Sequence, residues 1–215
     1  MSRSATSVRR KRRDTYHHGE LRRALIAAAE SILSERGIEG FTLREAARRA
    51  GVSPAAPAHH FGDAAGLLTE VATLGFAELG RMLEEADKSA GDPRARLIAQ
   101  GHAYVRFAVE NRARFQLMFR AAKLDPGHGD FLKIADRAFA ILADAVRDLL
   151  GEQPDAPPTQ HAMARTLALW SLVHGFAYLV LEGQADRVAA LAGATNAIKT
   201  MLPLVLDQLD WTMPA

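Results

Sequence analysis

The sequence predicts an all-α fold of about nine helices, a small N-terminal helical unit followed by a C-terminal bundle. Three observations carry this. Apolar residues recur at three- and four-residue steps through most of the chain, capping signals precede successive stripes, and no segment alternates apolar with polar residues as a half-buried strand would.

Residues 1 to 14 are small, polar and basic, with Arg9, Arg10, Lys11, Arg12 and Arg13 consecutive. Like charges at that density repel, so a disordered arm is expected. It suits either neutralisation of phosphates along a polyanion or the solubilising of the chain. Attraction to anionic lipid is a third use, but no apolar face accompanies the charges.

The first helix is expected over about Gly19 to Arg36, with Leu21, Leu25, Ala28, Ala29 and Leu33 on one face and Gly37 as its stop. Thr42 and Glu45 then form a Thr-x-x-Glu capping box: the hydroxyl takes the Glu45 amide and the glutamate reaches back to the Thr42 amide. The helix they open carries Leu43, Ala46, Ala47 and Ala50 as its apolar stripe and ends at Gly51, which can turn left-handed. Ser53 and Pro54 give a second start signal. Two short helices so closely linked cross steeply, as in a helix-turn-helix, where the second enters the major groove and the first crosses the phosphate backbone. Pro57 conflicts with a helix begun at Pro54, since it lacks a donor and pushes Ala56 off helical angles. The reading helix is therefore short, strained at its start, or begun at Pro57. Phe61 reads as core, and Asp63 caps a fourth helix to about Asp87 with Leu67, Val71, Leu74 and Leu83 inward.

Gly91-Asp92-Pro93 caps a fifth helix to about Glu110, and Asn111 restarts a sixth through Arg112, Phe115, Met118 and Phe119, closed by Asp125-Pro126-Gly127. A seventh is expected over about Gly129 to Leu150, a loop over Gly151 to Pro158, an eighth over Thr159 to about Glu182, and a ninth over about Val188 to Trp211 that Pro203 kinks or restarts. The eighth holds Leu167, Trp170, His174, Ala177 and Leu181 on one face, and the ninth Ile198, Leu202, Val205 and Leu209.

At 215 residues, 48% hydrophobic and 24% charged, the chain has the composition of a globular protein with one or two helical cores. No run is expected to reach the length of a membrane span, and no charged start leads into an apolar stretch, so a cytoplasmic chain without a membrane partner is expected. The absence of cysteine excludes disulfides, thiolate metal sites and thiol nucleophiles. A net charge of +2 hides an asymmetry: residues 1–60 carry 12 Lys and Arg against 6 Asp and Glu, so the remainder is net negative. Only the N-terminal end suits a polyanion.

Catalysis is not expected, because Ser171 and His174 share a helical turn without an acidic orienter and no paired carboxylates or cofactor motif stand out. Nor is a metal: adjacent His59 and His60 project about 100° apart on a helix, with no third ligand nearby.

Residues from about Gly19 to Phe76 resemble the DNA-binding domain of the TetR family of bacterial transcriptional regulators. The likeness runs in order through Glu35-Arg36-Gly37, the Thr42-capped helix, Ala50-Gly51-Val52-Ser53, His59-His60-Phe61 and the long fourth helix. Trp170-Ser171-Leu172-Val173-His174-Gly175 closely resembles the Trp-x-x-x-His-Gly signature of one C-terminal subgroup. The resemblance implies a homodimer divided into a basic arm (1-14), a helix-turn-helix domain (15-65) and a ligand-binding and dimerisation domain (66-215). By position it implies contacts to double-stranded operator DNA from Arg10, Lys11, Arg12, Arg13, Thr42, Arg44, Ser53, Pro54, Ala55, Ala56, Ala58, His59 and His60. Hydroxyls and helix-start amides suit phosphates, and small side chains let a helix approach a thymine methyl. His60 reads equally as a packed core residue. Two departures stand out. Ala58 occupies the place of a phosphate-contacting tyrosine, and Ala64 and Ala65 that of a Lys-Glu pair whose lysine is another phosphate contact.

The family also implies a small effector. Among helices four to eight the candidates are His102, Tyr104, Phe107, Phe115, Met118, Phe119, Trp170, His174 and Tyr178, a set suited to an apolar or aromatic molecule. Most are expected to be ordinary core. His174 reads also as a histidine hydrogen-bonded within a helix core, and since the family's last two helices form the dimer interface, a partner is an alternative cover for these stripes. The expectation is a ligand-responsive repressor that binds a palindromic operator as a dimer and leaves it when the effector binds. The alternative is a nonspecific or architectural DNA-binding protein using the basic arm, with a large salt slope and little sequence preference.

Overall fold

The computed structural model describes residues 5–208, with side chains from residue 19 onward. Among the described residues the regular structure is helical, with no strand. The chain packs as two compact units, Met1–Thr73 with Gln116–Phe131, and Leu74–Phe115 with Leu132–Ala215. These packing units are not the linear segments 1-14, 15-65 and 66-215 expected by role.

The first unit opens with α1 (Ala5–Arg36). It starts before Gly19 because no Pro or Gly intervenes after Ala5 and Lys and Arg are good helix formers. Leu25, Ala28, Ala29 and Leu33 are buried as expected, with Ile26 and Ile32 added. After a 3₁₀ turn at Ile38–Gly40 come α2 (Leu43–Arg49), α3 (Ala56–Phe61) and α4 (Ala64–Lys88), which continues into the second unit. The Thr42 hydroxyl caps α2 by accepting from the Glu45 amide at 3.2 Å. The reciprocal half of the expected capping box gives way to ion pairs, both Glu45 oxygens being taken by the guanidinium groups of Arg48 and Arg49 at 2.7 to 2.9 Å. Gly51, at φ 68°, ends α2 in a full Schellman motif, its amide donating to the Arg48 carbonyl and that of Val52 to Ala47.

The reading helix starts at Ala56, not at the Ser53-Pro54 signal. Ser53 instead accepts the Ala56 amide in a turn, and Pro57 falls in the first helical turn, where no backbone donor is needed. Asp63 caps α4 through the Gly66 amide at 2.9 Å. The buried stripe of α4 runs through Leu67, Val71, Gly75, Leu79 and Leu83, so Leu74, expected inward, lies off it and is 39% exposed.

In the second unit Asp92 caps α5 (Pro93–Glu110) through the Ala95 amide. α6 (Arg112–Met118) leads back into the first unit, α7 (Phe131–Leu149) emerges from it, and α8 (Gln160–Leu181), capped by Thr159, packs along α5. Leu97, Ala145, Val146 and Leu169 form one core cluster. The long ninth helix expected to Trp211 is three pieces, α9 (Gln184–Leu191), α10 (Ala197–Thr200) and α11 (Leu202–Asp207). Asn196 caps α10, Asp186 takes the Ala197 amide at 2.8 Å, and Pro203 sits in the first turn of α11, so each break has its own local cause. Leu202 is buried and Leu209 lies outside the described residues.

The eighth helix corrects a further expectation. Its 22 residues are long and apolar enough, by length and composition, to cross a membrane. Its Thr166, Leu169, Val173, Phe176, Ala177 and Leu181 are buried in the unit and Trp170 hydrogen-bonds to Tyr104 of α5, so one face of this apolar helix belongs to the core. Leu167, expected on the inward stripe, is 56% exposed.

Candidate nucleic-acid interface and effector site

The helix-turn-helix is clamped from within. Arg49, lying between α1 and α2, donates to both Glu35 oxygens at 2.7 Å, to Ser31 and to Glu45, so one guanidinium fixes the angle between the two helices. Hydrogen bonds from Arg49 and Ser31 hold the Glu35 carboxyl at about 2, and those from Arg48 and Arg49 hold Glu45 at about 2, against an ordinary 4.5.

On that frame Thr42, Arg44, Ser53, Pro54, Ala55, Ala58 and His59 are all exposed, with Ala56 and His60 half-buried. Pro57 and Phe61 point the other way, into the core. The structure thus puts the position-inferred contacts of α2 and α3 on accessible surface, small residues foremost. The His60 ring lies tilted against Phe61, centroids 6.2 Å apart. The side chains of Arg10, Lys11, Arg12 and Arg13 lie outside the described residues.

The effector candidates divide. Tyr104, Phe115, Trp170, His174 and Tyr178 gather between α5, α6 and α8, the His174 ring 5.0 Å from Tyr178 and 5.5 Å from Phe115. Phe107 is fully buried and stacks edge-on against Phe115. Trp170 Nε1–H donates to the Tyr104 hydroxyl at 3.2 Å, leaving the Tyr104 O–H to point at His174 Nδ1, 2.8 Å away. In the tautomer where Nδ1 accepts the Tyr104 O–H, Nε2 carries the proton and the imidazole is neutral. Burial pushes His174 down and Tyr104 up, in keeping with two uncharged partners. His102 stands elsewhere, on the wall of an open cleft of about 530 Å³ that it shares with Glu85, Ser89, Arg106, Glu110 and Ile198. Burial lowers its proton affinity. Met118 is buried and Phe119 half-buried in the first unit.

The arrangement has relatives. Residues 25–71 match the bacterial regulatory proteins of the tetR family, and residues 97–198 the tetracyclin repressor-like C-terminal domain. The HTH-type transcriptional regulator BetI of Brucella canis is 38% identical over 132 residues, 60% of this chain and 67% of that protein. The chain belongs to the TetR family. The uncharacterised HTH-type regulator YobS of Bacillus subtilis is 26% identical over 190 residues, 86% of this chain and 92% of its own. Among solved structures, a protein of unknown function from Rhodococcus sp. RHA1 superposes with a TM-score of 0.70 at 33% identity, covering 90% of this chain and 97% of that one. The TetR-family regulator PfmR of Thermus thermophilus shares the fold, with a TM-score of 0.61 at 24% identity over 86% and 95% of the two chains. As a member of the TetR family the protein is a DNA-binding transcriptional regulator, not an enzyme.

Sequence reasoning missed one charged group beside the TetR-family reading helix. Glu70 of α4 pairs through one oxygen with Arg22 of α1 and through the other with His128 at 3.3 Å. The Arg22 guanidinium lies 5.9 Å over the Phe61 ring. No local signal marks this trio, because its members come from α1, α4 and the segment between α6 and α7.

Proposed function

We propose that this regulator binds a palindromic operator as a homodimer through Thr42, Arg44, the Ser53–Ala56 turn, Ala58, His59 and His60, assisted by the basic arm, and that a small apolar or aromatic effector releases it. The observation that carries the reading is the accessible, small-residue face of α3 on a frame fixed by Arg49. A shallow helix face of this kind can approach base edges closely, the two reading helices of a dimer lying about 34–36 Å apart. Exposed Leu167 and Leu179 on α8 and Leu204 on α11 supply apolar surface for a partner copy. The cleft beside His102 offers room for an effector. Occupancy of a promoter in the cytoplasm then represses it, and an effector that prefers a differently spaced dimer lifts the repression.

The test is a titration against a fluorescent duplex from the gene's own upstream region, with scrambled DNA as competitor at two salt concentrations. Binding that survives competitor and moderate salt supports an operator. Equal affinity for scrambled DNA, lost with salt, supports the nonspecific reading, which the basic block and the alanines at positions 58 and 64 favour.

A further inference from the structure

The trio at Glu70 is built rather than incidental. His128 sits on a segment whose Asp125 amide donates to the hydroxyl of fully buried Thr69 at 2.8 Å, and its own amide donates to the Asp125 carbonyl. Gly66 leaves the space the imidazole uses: a Cβ there would stand 3.3 Å from His128 Cε1. Glu70 and His128 are largely shielded, at 17% and 23% exposure, while Arg22 is 45% open to solvent beside the last residue of the reading helix.

The charges decide what this group can do. With a neutral imidazole, Glu70 cancels Arg22. With a protonated one, two cations share a single carboxylate and the group carries a net positive charge. Two further carboxylates lie on the elements that meet here, Asp63 at the start of α4, which takes the Gly66 amide, and Asp125 of the His128 segment, which takes the Gly127 amide.

We propose that Arg22 and His128 form a proton-dependent site for the DNA phosphodiester backbone, with Glu70 as its counter-charge. It stands beside α3 and the start of α4, where Ala58 and Ala64 offer a phosphate no charged or hydroxyl side chain. Protonation of His128 draws Glu70 toward the imidazole and leaves Arg22 free to meet a phosphate, so the DNA complex tightens as pH falls. By reciprocity, duplex binding raises the pH at which His128 takes its proton. The site rests on the DNA-binding reading above, but not on an operator, since phosphate contacts are blind to sequence.

The experiment measures affinity by fluorescence anisotropy for the upstream duplex and a scrambled duplex of equal length. It compares the wild type with His128→Gln, Glu70→Gln and Arg22→Gln at about pH 6 and about pH 8, either side of the ordinary imidazole range. Each one is checked for fold by circular dichroism. One more phosphate contact steepens the salt dependence by about 0.9 per bound protomer, a further loss of about 3.5-fold between 50 and 200 mM salt. The wild type is expected to show that steepening at the lower pH. His128→Gln should erase the part of it beyond the background from His59 and His60, Glu70→Gln should steepen the slope at both pH values, and Arg22→Gln should flatten it. The His128 imidazole, followed by NMR, should titrate at higher pH with duplex bound. A His128→Gln protein that keeps the full wild-type pH difference, or a folded Glu70→Gln protein that binds more weakly, overturns the proposal. Equal binding to both duplexes overturns the operator alone, and no binding to either overturns both.

Discussion

At the scale of single residues, Gly66 shows how little freedom the start of α4 has. A methyl group there would stand 1.9 Å from the Phe61 carbonyl oxygen, a backbone atom that cannot yield without moving the turn between α3 and α4. Gly66→Ala is therefore expected to destabilise the chain by about 1–3 kcal/mol, despite alanine's better helix propensity. Gly175, in the middle of α8, has nothing within 4 Å of the same position. Gly175→Ala is expected to stabilise the protomer by about 0.5–1 kcal/mol, and urea melts of the two variants check the opposite signs. Tyr104 is a third such residue. Removing its hydroxyl takes the acceptor from Trp170 Nε1–H and the hydrogen-bond partner from His174 Nδ1, and Tyr104→Phe is expected to cost about 1–2 kcal/mol in the same melts.

Between elements, the clamp of α1 on α2 is an acid-sensitive joint. Glu35 and Glu45 titrate at about 2 in the folded chain against an ordinary 4.5. Their contribution is therefore complete above the ordinary value and is lost as pH falls from there toward the folded value. Thermal melts stepped through that interval are expected to show a steeper loss for the wild type than for Arg49→Gln, which lacks the shared partner. The same elements show what a sequence can and cannot reveal. Thr42, Asp63 and Asp92 were legible as caps because each acts on an amide three residues away. The start of α3 was ambiguous, because Ser53-Pro54 is a valid local signal and only the missing donor of Pro57, which suits a first helical turn, speaks against it. The trio of Arg22, Glu70 and His128 and the Tyr104–His174 bond had no local signature. The single long ninth helix failed because a continuing apolar stripe masked the cap at Asn196, whereas the restart at Pro203 was legible from the proline itself.

For the molecule as a whole, the unpaired apolar surface bears on assembly. Leu179 is 51% exposed on α8, one turn beyond exposed Gly175. If that side meets a second copy, Leu179→Glu buries a charge at the contact. It is expected to shift sedimentation from dimer to monomer and to weaken operator binding while leaving the melting of the protomer largely unchanged. A dimer unaffected by this change places the contact on another face.

The path of the chain through its two units has a practical corollary. Because Gln116–Phe131 packs with the N-terminal helices while its neighbours on both sides pack elsewhere, the polypeptide passes between units three times. A fragment cut after Thr73 would lack the Asp125 amide that meets Thr69 and the imidazole that fills the hollow at Gly66. Transplanting the reading head onto another sensor thus calls for two grafts rather than one, the second carrying a short internal stretch that the first cannot do without.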